Sequence, residues 1–269
     1  MTLPTTTTLR LELERDVLHV WLARPEARNA MNGVMIAELE ATFAAIADDR
    51  GVRAVVLRGE GGNFCAGGDV KDMVATRSAP AVAGVDPIAA YNRRFGTVIT
   101  MIERAPQVTI AVLEGAVLGG GFGIACVADI AIAKPDASFG LPETGLGIPP
   151  AQIAPFVVRR IGLSQARRLA LTGARFDGRV AKELGVVHEL ADDRVLGEAI
   201  ASAIEGVRRC APAANAATKA IMLQVGAVPI DALLDDAAAR FAEATRGAEA
   251  AEGMLAFVQK RKPSWTNPS

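Results

Sequence analysis

Two glycine clusters stand where a strand is expected to lead into a helix, and this pattern favours the binding of negative charge. The first is Cys65–Asp69 (CAGGD) and the second is Gly119–Gly121. Glycine lets the backbone approach a ligand closely, and the free N–H groups of a first helical turn point toward it. Two converging ends would place two N–H donors on one oxygen and stabilise an oxyanion or enolate. Tight helix–strand packing is an equal alternative.

Nucleotide chemistry fits these glycines less well. Cys126 stands three residues after Gly123, where the dinucleotide motif G-x-G-x-x-G requires a third glycine. No Gly-Lys-Ser/Thr follows either cluster, which argues against a P-loop. Redox and phosphoryl-transfer reactions are therefore less favoured than stabilisation of an oxyanion.

An oxyanion hole needs a proton donor or acceptor beside it, and Glu143 is the candidate. It lies in FGLPETGLG, among apolar residues and glycines, and an apolar setting raises the pKa of a carboxyl group. A solvated loop glutamate is the alternative. Cys65 has no evident base partner and is expected to pack as a small apolar residue. His19 and His188 lack a second ligand at metal spacing, so no zinc site is expected.

The composition excludes several classes of function. The chain has 269 residues, of which 51% are apolar and 22% charged, as in a folded globular protein. Its 29 Lys and Arg against 30 Asp and Glu leave no basic excess for nucleic acid. No run approaches the roughly 20 apolar residues of a membrane span. Without a signal sequence, and with three cysteines that cannot all pair, a cytoplasmic protein is expected.

Strands and helices alternate around these residues, and helices alone follow. In chain order we expect a hairpin of strands at 9–13 and 18–23, a helix capped by Asn32, a strand at 52–57, a helix at 87–104, strands at 108–113 and 130–133, and helices at 153–160, 164–171 and 178–184. The weakly patterned stretch Ala75–Pro87 predicts a loop that faces the substrate or is an idle insertion. The fold class is therefore α/β, with a helical C-terminal part.

Four segments carry a more specific signal: RPEARNAMN (24–32), RAVVLRGEGGNFCAGGDVKDM (53–73), GAVLGGGFGIACVADIAIA (115–133) and FGLPETGLGIPP (139–150). In order and separation they resemble the enoyl-CoA hydratase/isomerase, or crotonase, family nearly end to end. The resemblance implies a crotonase-like spiral of ββα units with the acyl-CoA site over residues 1–191. It also implies a helical region over 192–269 that builds homotrimers, commonly paired into hexamers. No metal or redox cofactor is implied, because coenzyme A is part of the substrate.

The resemblance also assigns roles to particular residues. The N–H groups of Gly68 and Gly120 should hold the thioester oxygen, and Glu143 matches a glutamate that acts as acid and base. Six further residues match positions at or near coenzyme A, the last two in a segment that can close on it from a neighbouring subunit: Arg28, Ala66, Asp69, Lys71, Phe257 and Lys260.

Position 123 departs from the family pattern. Family hydratases of simple enoyl-CoAs use a second glutamate where this chain has Gly123. We hypothesise that Gly123 leaves space for a branched or acidic acyl group, and that Gly123→Glu would raise hydration of crotonyl-CoA. Gln152 would offer an amide to that pocket, although an exposed or capping glutamine is an equal alternative. The segment LPETGLGIPPAQIAPFVVRRIG is similar to hydratases of methylglutaconyl-CoA and isohexenylglutaconyl-CoA, whose substrates carry their own carboxylate.

Three functions fit the sequence. The first is a hydratase that adds water across the 2,3 double bond of a branched or glutaconyl-type enoyl-CoA. The second is a Δ3,Δ2-enoyl-CoA isomerase in which Glu143 alone moves the proton. The third is a non-catalytic acyl-CoA binding protein, against which the presence of Glu143 argues, because a binder needs no acid in the acyl pocket.

Overall fold

The strands form two sheets in a computed structural model that describes residues 2–77, 80 and 84–266. In chain order the strands are β1 (Leu9–Glu14), β2 (Val17–Leu22), β3 (Ala54–Gly59), β4 (Val108–Leu113), β5 (Ala116–Leu118), β6 (Ile130–Ala133), β7 (Ser138–Gly140), β8 (Arg175–Phe176) and β9 (Glu189–Leu190). The larger sheet has the order β1-β2-β3-β4-β6-β9 and the smaller has the order β5-β7-β8. In the larger sheet only the β1–β2 hairpin is antiparallel, so its other strands run the same way.

Helices connect these strands and then continue alone to the C-terminal end. In chain order they are α1 (Gly33–Ile46), α2 (Val70–Arg77), α3 (Pro87–Arg104), α4 (Gly120–Val127), α5 (Ala154–Thr172), α6 (Gly178–Glu183), α7 (Leu196–Arg208), α8 (Pro212–Met222), α9 (Ile230–Arg246) and α10 (Ala248–Val258). Local signals explain where two of them begin. Asn32 accepts a hydrogen bond from Met35 N at 2.9 Å, and Asp86 accepts one from Ile88 N at 2.8 Å ahead of the first-turn Pro87.

The larger sheet is covered on both faces, which explains why β3 and β4 read as nearly continuous apolar runs. On one face Val55 and Leu57 belong to the main core with α1, α3 and α4. On the other face Val56 belongs to a second core, to which α7 contributes Leu196 and Ile200. Helix α7 therefore packs on the sheet, and the boundary at 191/192 stays a prediction.

Most element predictions are confirmed, and the bounds of one loop are corrected. The bounds 87–104, 108–113 and 130–133 agree with α3, β4 and β6. The two helices predicted at 153–160 and 164–171 are the two parts of α5, which are separated at Gly162, where φ of +75° and ψ of 157° are not helical. In the predicted loop Ala75–Pro87, residues 75–77 end α2 and Pro87 begins α3; residues 78, 79 and 81–83 lie outside the described part.

The short strands β5, β7, β8 and β9 were not predicted, because two or three residues show no alternation. None of the helices in the described part of the chain is long and apolar enough to cross a membrane.

Candidate active site

The segment after β3 presents the backbone of Gly68 to a cavity. Met31 N donates to Gly67 O at 2.8 Å, and Asp69 N donates to Met31 O at 2.9 Å. Because both neighbours of Gly68 bond to Met31, the N–H of Gly68 points away from Met31. None of the described residues accepts a hydrogen bond from this N–H, and Gly68 lines the cavity. The segment thus contributes one unpaired donor to the cavity wall.

Gly120 supplies a second donor. It is the first residue of α4, so its N–H has no acceptor within the helix, and no described residue outside the helix accepts it. The preceding Gly119 has φ +51°, a conformation that favours glycine. Gly120 lines the same cavity as Gly68.

Backbone pairing holds the two glycine segments together. Cys65 N donates to Ala116 O at 2.8 Å, and Leu118 N donates to Cys65 O at 2.9 Å. A Cβ built on Gly119 would lie 3.5 Å from Gly67 Cα. Glycine at positions 67 and 119 therefore allows the two backbone segments to approach closely. Two N–H donors can bind one oxygen only at such a short separation.

Glu143 brings a carboxyl group to the same cavity. It begins a 3₁₀ turn at Glu143–Leu146, shortly after β7. Burial raises its pKa, although a backbone hydrogen bond and the charge of Arg175 lower it in part. Its Oε2 is buried and has no hydrogen-bond partner in the described part of the chain. A Cβ on Gly119 would lie 2.7 Å from its Oε1, so the carboxyl group stands at the start of α4.

Four predicted site residues are brought together in this cavity: Gly68, Gly120, Glu143 and Gln152. The sequence does not single out other residues of the lining, among them Met31, Met73, Tyr91, Asn92, Phe95 and Ile153. The three on α3 share one face of an amphipathic helix, which looks like ordinary core in a sequence. Only their convergence with the glycines shows that this face borders a cavity.

Comparison with known proteins identifies the family of this chain. The enoyl-CoA hydratase/isomerase family profile matches residues 12–268. The chain belongs to this family. A probable enoyl-CoA hydratase of Rhizobium meliloti is 34% identical over 257 residues, which cover 95% of this chain and 96% of the relative.

Solved structures of the family have the same fold. Pseudomonas aeruginosa AtuE is 59% identical with a TM-score of 0.93, over 97% of this chain and 100% of that chain. An enoyl-CoA hydratase/isomerase of Marinobacter aquaeolei is 53% identical with a TM-score of 0.93, over 97% and 99%. The predictions of a crotonase-like α/β fold and of an enzyme of the enoyl-CoA hydratase class are therefore confirmed.

The hypothesis that Gly123 leaves space for an acyl group is wrong. Gly123 is buried within α4, and a Cβ there would lie 2.4 Å from Ile153 Cγ2 and 3.0 Å from Ile99 Cδ1. The space in front of Gly123 is therefore filled by Ile153, whose side chain also lines the cavity. In this member of the family, Gly123 allows two helical segments to pack closely.

Of the six residues that the family resemblance places near coenzyme A, four lie beside Gly68, although the cavity lining includes none of the six. Ala66 N donates to Arg28 O at 3.0 Å. Asp69 accepts hydrogen bonds from Arg24 Nη1 and Lys71 N, both at 3.0 Å. Burial opposes ionisation of Asp69, but these bonds outweigh it and lower its pKa. Asp69 thus holds the start of α2 and the Gly68 segment in place.

The C-terminal pair and Cys65 stand apart from the acid–base site. Phe257 is 85% exposed at the end of α10, and Lys260 N donates to Phe257 O at 3.1 Å; neither lines the cavity. Cys65 is fully buried, and burial raises the pKa of its thiol to about 12. It accepts a hydrogen bond from Gly67 N at 3.4 Å, so it packs as the sequence predicts.

Proposed function

We propose that the chain adds water across the 2,3 double bond of an enoyl-CoA thioester. One observation carries the proposal: the N–H groups of Gly68 and Gly120 and a buried oxygen of Glu143, all without partners among the described residues, belong to one cavity. Unsatisfied polar groups in a buried setting are costly, so their collection in one place supports a role in binding and chemistry.

The two donors act on the thioester oxygen. As they polarise the carbonyl, C3 of the enoyl group becomes electrophilic and negative charge develops on the oxygen that they hold. The carboxylate of Glu143 takes a proton from water while the water oxygen bonds to C3 and the π electrons move toward the thioester oxygen. The resulting enolate then takes that proton from Glu143 at C2, which restores the carbonyl and the carboxylate.

The surroundings of Glu143 suit both halves of this cycle. A carboxylate whose pKa is raised toward the operating pH is a stronger base toward water, and its acid form still donates the proton to the enolate. Burial is the largest cause of the raised pKa. We propose no cofactor, because the carbonyl of the substrate itself holds the electron pair.

The acyl group is proposed to be branched or of the glutaconyl type. This substrate class rests on the resemblance to glutaconyl-CoA hydratases and on the lack of a second glutamate at position 123. Glu143 is the one carboxyl group among the described lining residues, so a second protein carboxylate does not share the water.

A Δ3,Δ2-enoyl-CoA isomerase is the second candidate, and the same observation favours it. One carboxylate beside an oxyanion hole can remove a proton from C2 and return it at C4, and no water is added. The two reactions differ in their optical signal, since hydration removes the conjugated enoyl thioester and isomerisation of a 3-enoyl thioester creates it.

The test follows absorbance of the conjugated thioester with crotonyl-, 3-methylglutaconyl-, isohexenylglutaconyl- and 3-enoyl-CoA. Loss of absorbance with a glutaconyl thioester is expected. A gain from the 3-enoyl substrate alone would establish the isomerase instead. No change with any of the four would remove both enzymatic proposals and favour a protein that binds acyl-CoA without turnover.

The chain is further proposed to form trimers, single or paired. Large apolar side chains on α9 and α10 are exposed in the single chain, among them Leu234, Phe241, Met254 and Leu255. Large exposed apolar side chains grouped on two helices are typical of a protein interface. Phe257 and Lys260 would then stand beside a neighbouring subunit's coenzyme A.

A further inference from the structure

Two carboxamides face each other on the wall of the cavity. Asn92 lies on α3, Gln152 lies just ahead of α5, and both line the cavity that holds Glu143. Gln152 Nε2 donates to Asn92 Oδ1 at 2.9 Å. This bond fixes the two side chains relative to each other.

The Asn92–Gln152 pair has N–H groups that make no hydrogen bond within the described part of the chain. Each carboxamide nitrogen carries two N–H groups, and the bond between the two side chains uses only one of the four. The remaining three have no acceptor among the described residues. Asn92 Nδ2 has no acceptor among the described residues and is not one of the buried unpartnered atoms, so this nitrogen is accessible, and both residues line the cavity.

The placement of Gln152 depends on Gly96. A Cβ built on Gly96 would lie only 1.9 Å from Gln152 Oε1, so any larger residue displaces the carboxamide. Gly96 lies inside α3, where glycine is destabilising relative to alanine. A glycine at this helical position thus gives the carboxamide room.

One cation lies near the pair, outside the cavity lining. A Cβ on Gly96 would lie 3.2 Å from Arg93 Nη1 and 1.9 Å from Gln152 Oε1, so the guanidinium group is close to the Gln152 carboxamide; it is exposed and donates to Thr97 Oγ1 at 3.2 Å. Among the described lining residues, the one carboxyl group is that of Glu143, which the reaction already uses. Donors with a nearby cation suit an acceptor that carries negative charge.

We propose that the Asn92–Gln152 pair binds a carboxylate on the acyl chain and so selects acyl-CoA thioesters that carry a second carboxyl group. The inference rests on the proposed acyl-CoA site and makes these residues determinants of specificity. A carboxylate offers only acceptors, and the pair offers spare N–H donors. An unsubstituted acyl group would leave these donors without a partner.

A binding experiment tests the pair without turnover. Glutaryl-CoA and butyryl-CoA differ mainly by the second carboxyl group, and neither can be hydrated. In titration calorimetry, Gln152→Leu is expected to weaken glutaryl-CoA binding by about 10- to 100-fold, as for loss of a hydrogen bond to a charged group. Butyryl-CoA binding should change by less than about twofold, within the range of an unaffected contact. Gln165→Leu on the exposed side of α5 is the control and should leave both unchanged.

Two further variants keep the test decisive if Gln152→Leu does not fold. Gly96→Ala displaces the carboxamide without removing it, and Gln152→Glu brings a like charge to the substrate carboxylate. Both should weaken glutaryl-CoA selectively, and Gln152→Glu more strongly. Equal losses for both thioesters, or no preference of the native protein for glutaryl-CoA, would overturn the proposal.

Kinetics separate this inference from the proposed reaction. The matched substrates are 3-methylglutaconyl-CoA and 3-methylcrotonyl-CoA, which again differ by one carboxyl group. In Gln152→Leu we expect a higher KM for the first and little change in kcat. If the native protein hydrates neither thioester but prefers glutaryl-CoA through Gln152, the hydratase proposal fails and the binding proposal holds. Hydration of both thioesters without discrimination would uphold the hydratase proposal and overturn the role of the Asn92–Gln152 pair.

Discussion

Two regions leave different groups without partners. One is the glycine cradle, which we define as residues 67–68, residues 119–127 and Glu143 around the cavity; the other is the pair of last helices, α9 and α10. All eight residues of α4 are buried, from Gly120 to Val127. In α9 and α10 the buried residues are Leu233 and Ala256 alone, while Phe241 is 73% exposed. In the cradle, two N–H groups and a carboxyl oxygen have no hydrogen-bond partner among the described residues, whereas in the terminal helices apolar side chains remain exposed.

This difference indicates which kind of binding partner suits each region. Unpaired donors beside a buried carboxyl group suit one polar atom of a small ligand, because each donor needs only one acceptor. Exposed apolar side chains along two helices suit a broad surface, because apolar burial is non-directional and scales with area. One chain thus contains the residues of the proposed chemistry, while its C-terminal helices carry the surface proposed to bind a neighbouring subunit.

The variant Glu143→Gln should have the largest effect, and it tests the polar groups of the cradle. The amide keeps the shape of the carboxyl group and cannot take a proton from water, so kcat should fall by about 10²- to 10⁴-fold. Binding of butyryl-CoA should persist, since the Gly68 and Gly120 donors remain. Stopped-flow absorbance and calorimetry measure the two effects.

Activity that survives in the folded Glu143→Gln protein would remove Glu143 from the proposed chemistry. Glu183→Gln at the end of α6 is a matched control, because it makes the same change outside the cavity lining. It should leave kcat unaltered.

Much of the cradle could be predicted from the sequence because glycine clusters and an apolar-flanked glutamate are local signals. Gly68, Gly120 and Glu143 meet in one cavity, in agreement with that prediction. The role of Gly123 could not be predicted, because its neighbour Ile153 lies thirty positions away along the chain and no local pattern reports that contact. Tertiary packing, which a single sequence does not reveal, decides such a site.

The same limit applies to Asn92 and the C-terminal helices. An amphipathic helix predicts that one face of α3 is covered, but it does not say whether core or cavity covers it. Asn92 and Gln152 are 60 positions apart in the sequence, so no local pattern indicates that they pair. For α9 and α10, helical pattern predicts the elements, while their exposed apolar residues become evident only once the chain is folded.

Gly123→Glu tests how tightly the cradle is packed. A side chain at this position meets Ile153 and Ile99, and overpacking costs about 1–3 kcal/mol. An unpaired buried carboxyl group costs about a further 1–3 kcal/mol. We expect a clear drop in the midpoint of chemical denaturation and no gain in crotonyl-CoA hydration.

A double-mutant cycle makes the packing argument specific. Gly123→Ala alone should be destabilising, and Ile153→Ala removes the Cγ2 atom that it meets. The combined variant should therefore lose less stability than the sum of the two single changes. A folded Gly123→Glu protein of native stability that hydrates crotonyl-CoA faster would restore the hypothesis of open space.

Phe241→Asp tests the terminal helices. If Phe241 is buried between subunits, its loss removes about 1.5–3 kcal/mol of apolar burial and places a charge in the interface. Light scattering should then show fewer chains per particle than in the native protein. Glu243→Ala on the same helix is the control, because residue 243 is exposed and polar. An unchanged particle mass with native stability would place the interface elsewhere.

The smallest expected effect concerns the charge beside Glu143. Arg175 lowers the pKa of this carboxyl group against the larger, opposite influence of burial. Hydration requires the carboxylate, so kcat/KM falls as the pH drops through the raised pKa, which lies above the ordinary value of 4.5. Arg175→Leu removes the opposing charge, and the acidic limb should therefore move to higher pH while the plateau rate stays the same. Arg168→Leu, whose guanidinium group bonds to Gln165, should leave the limb in place. An acidic limb unmoved by Arg175→Leu would assign it to another group and separate Glu143 from the rate-determining proton transfer.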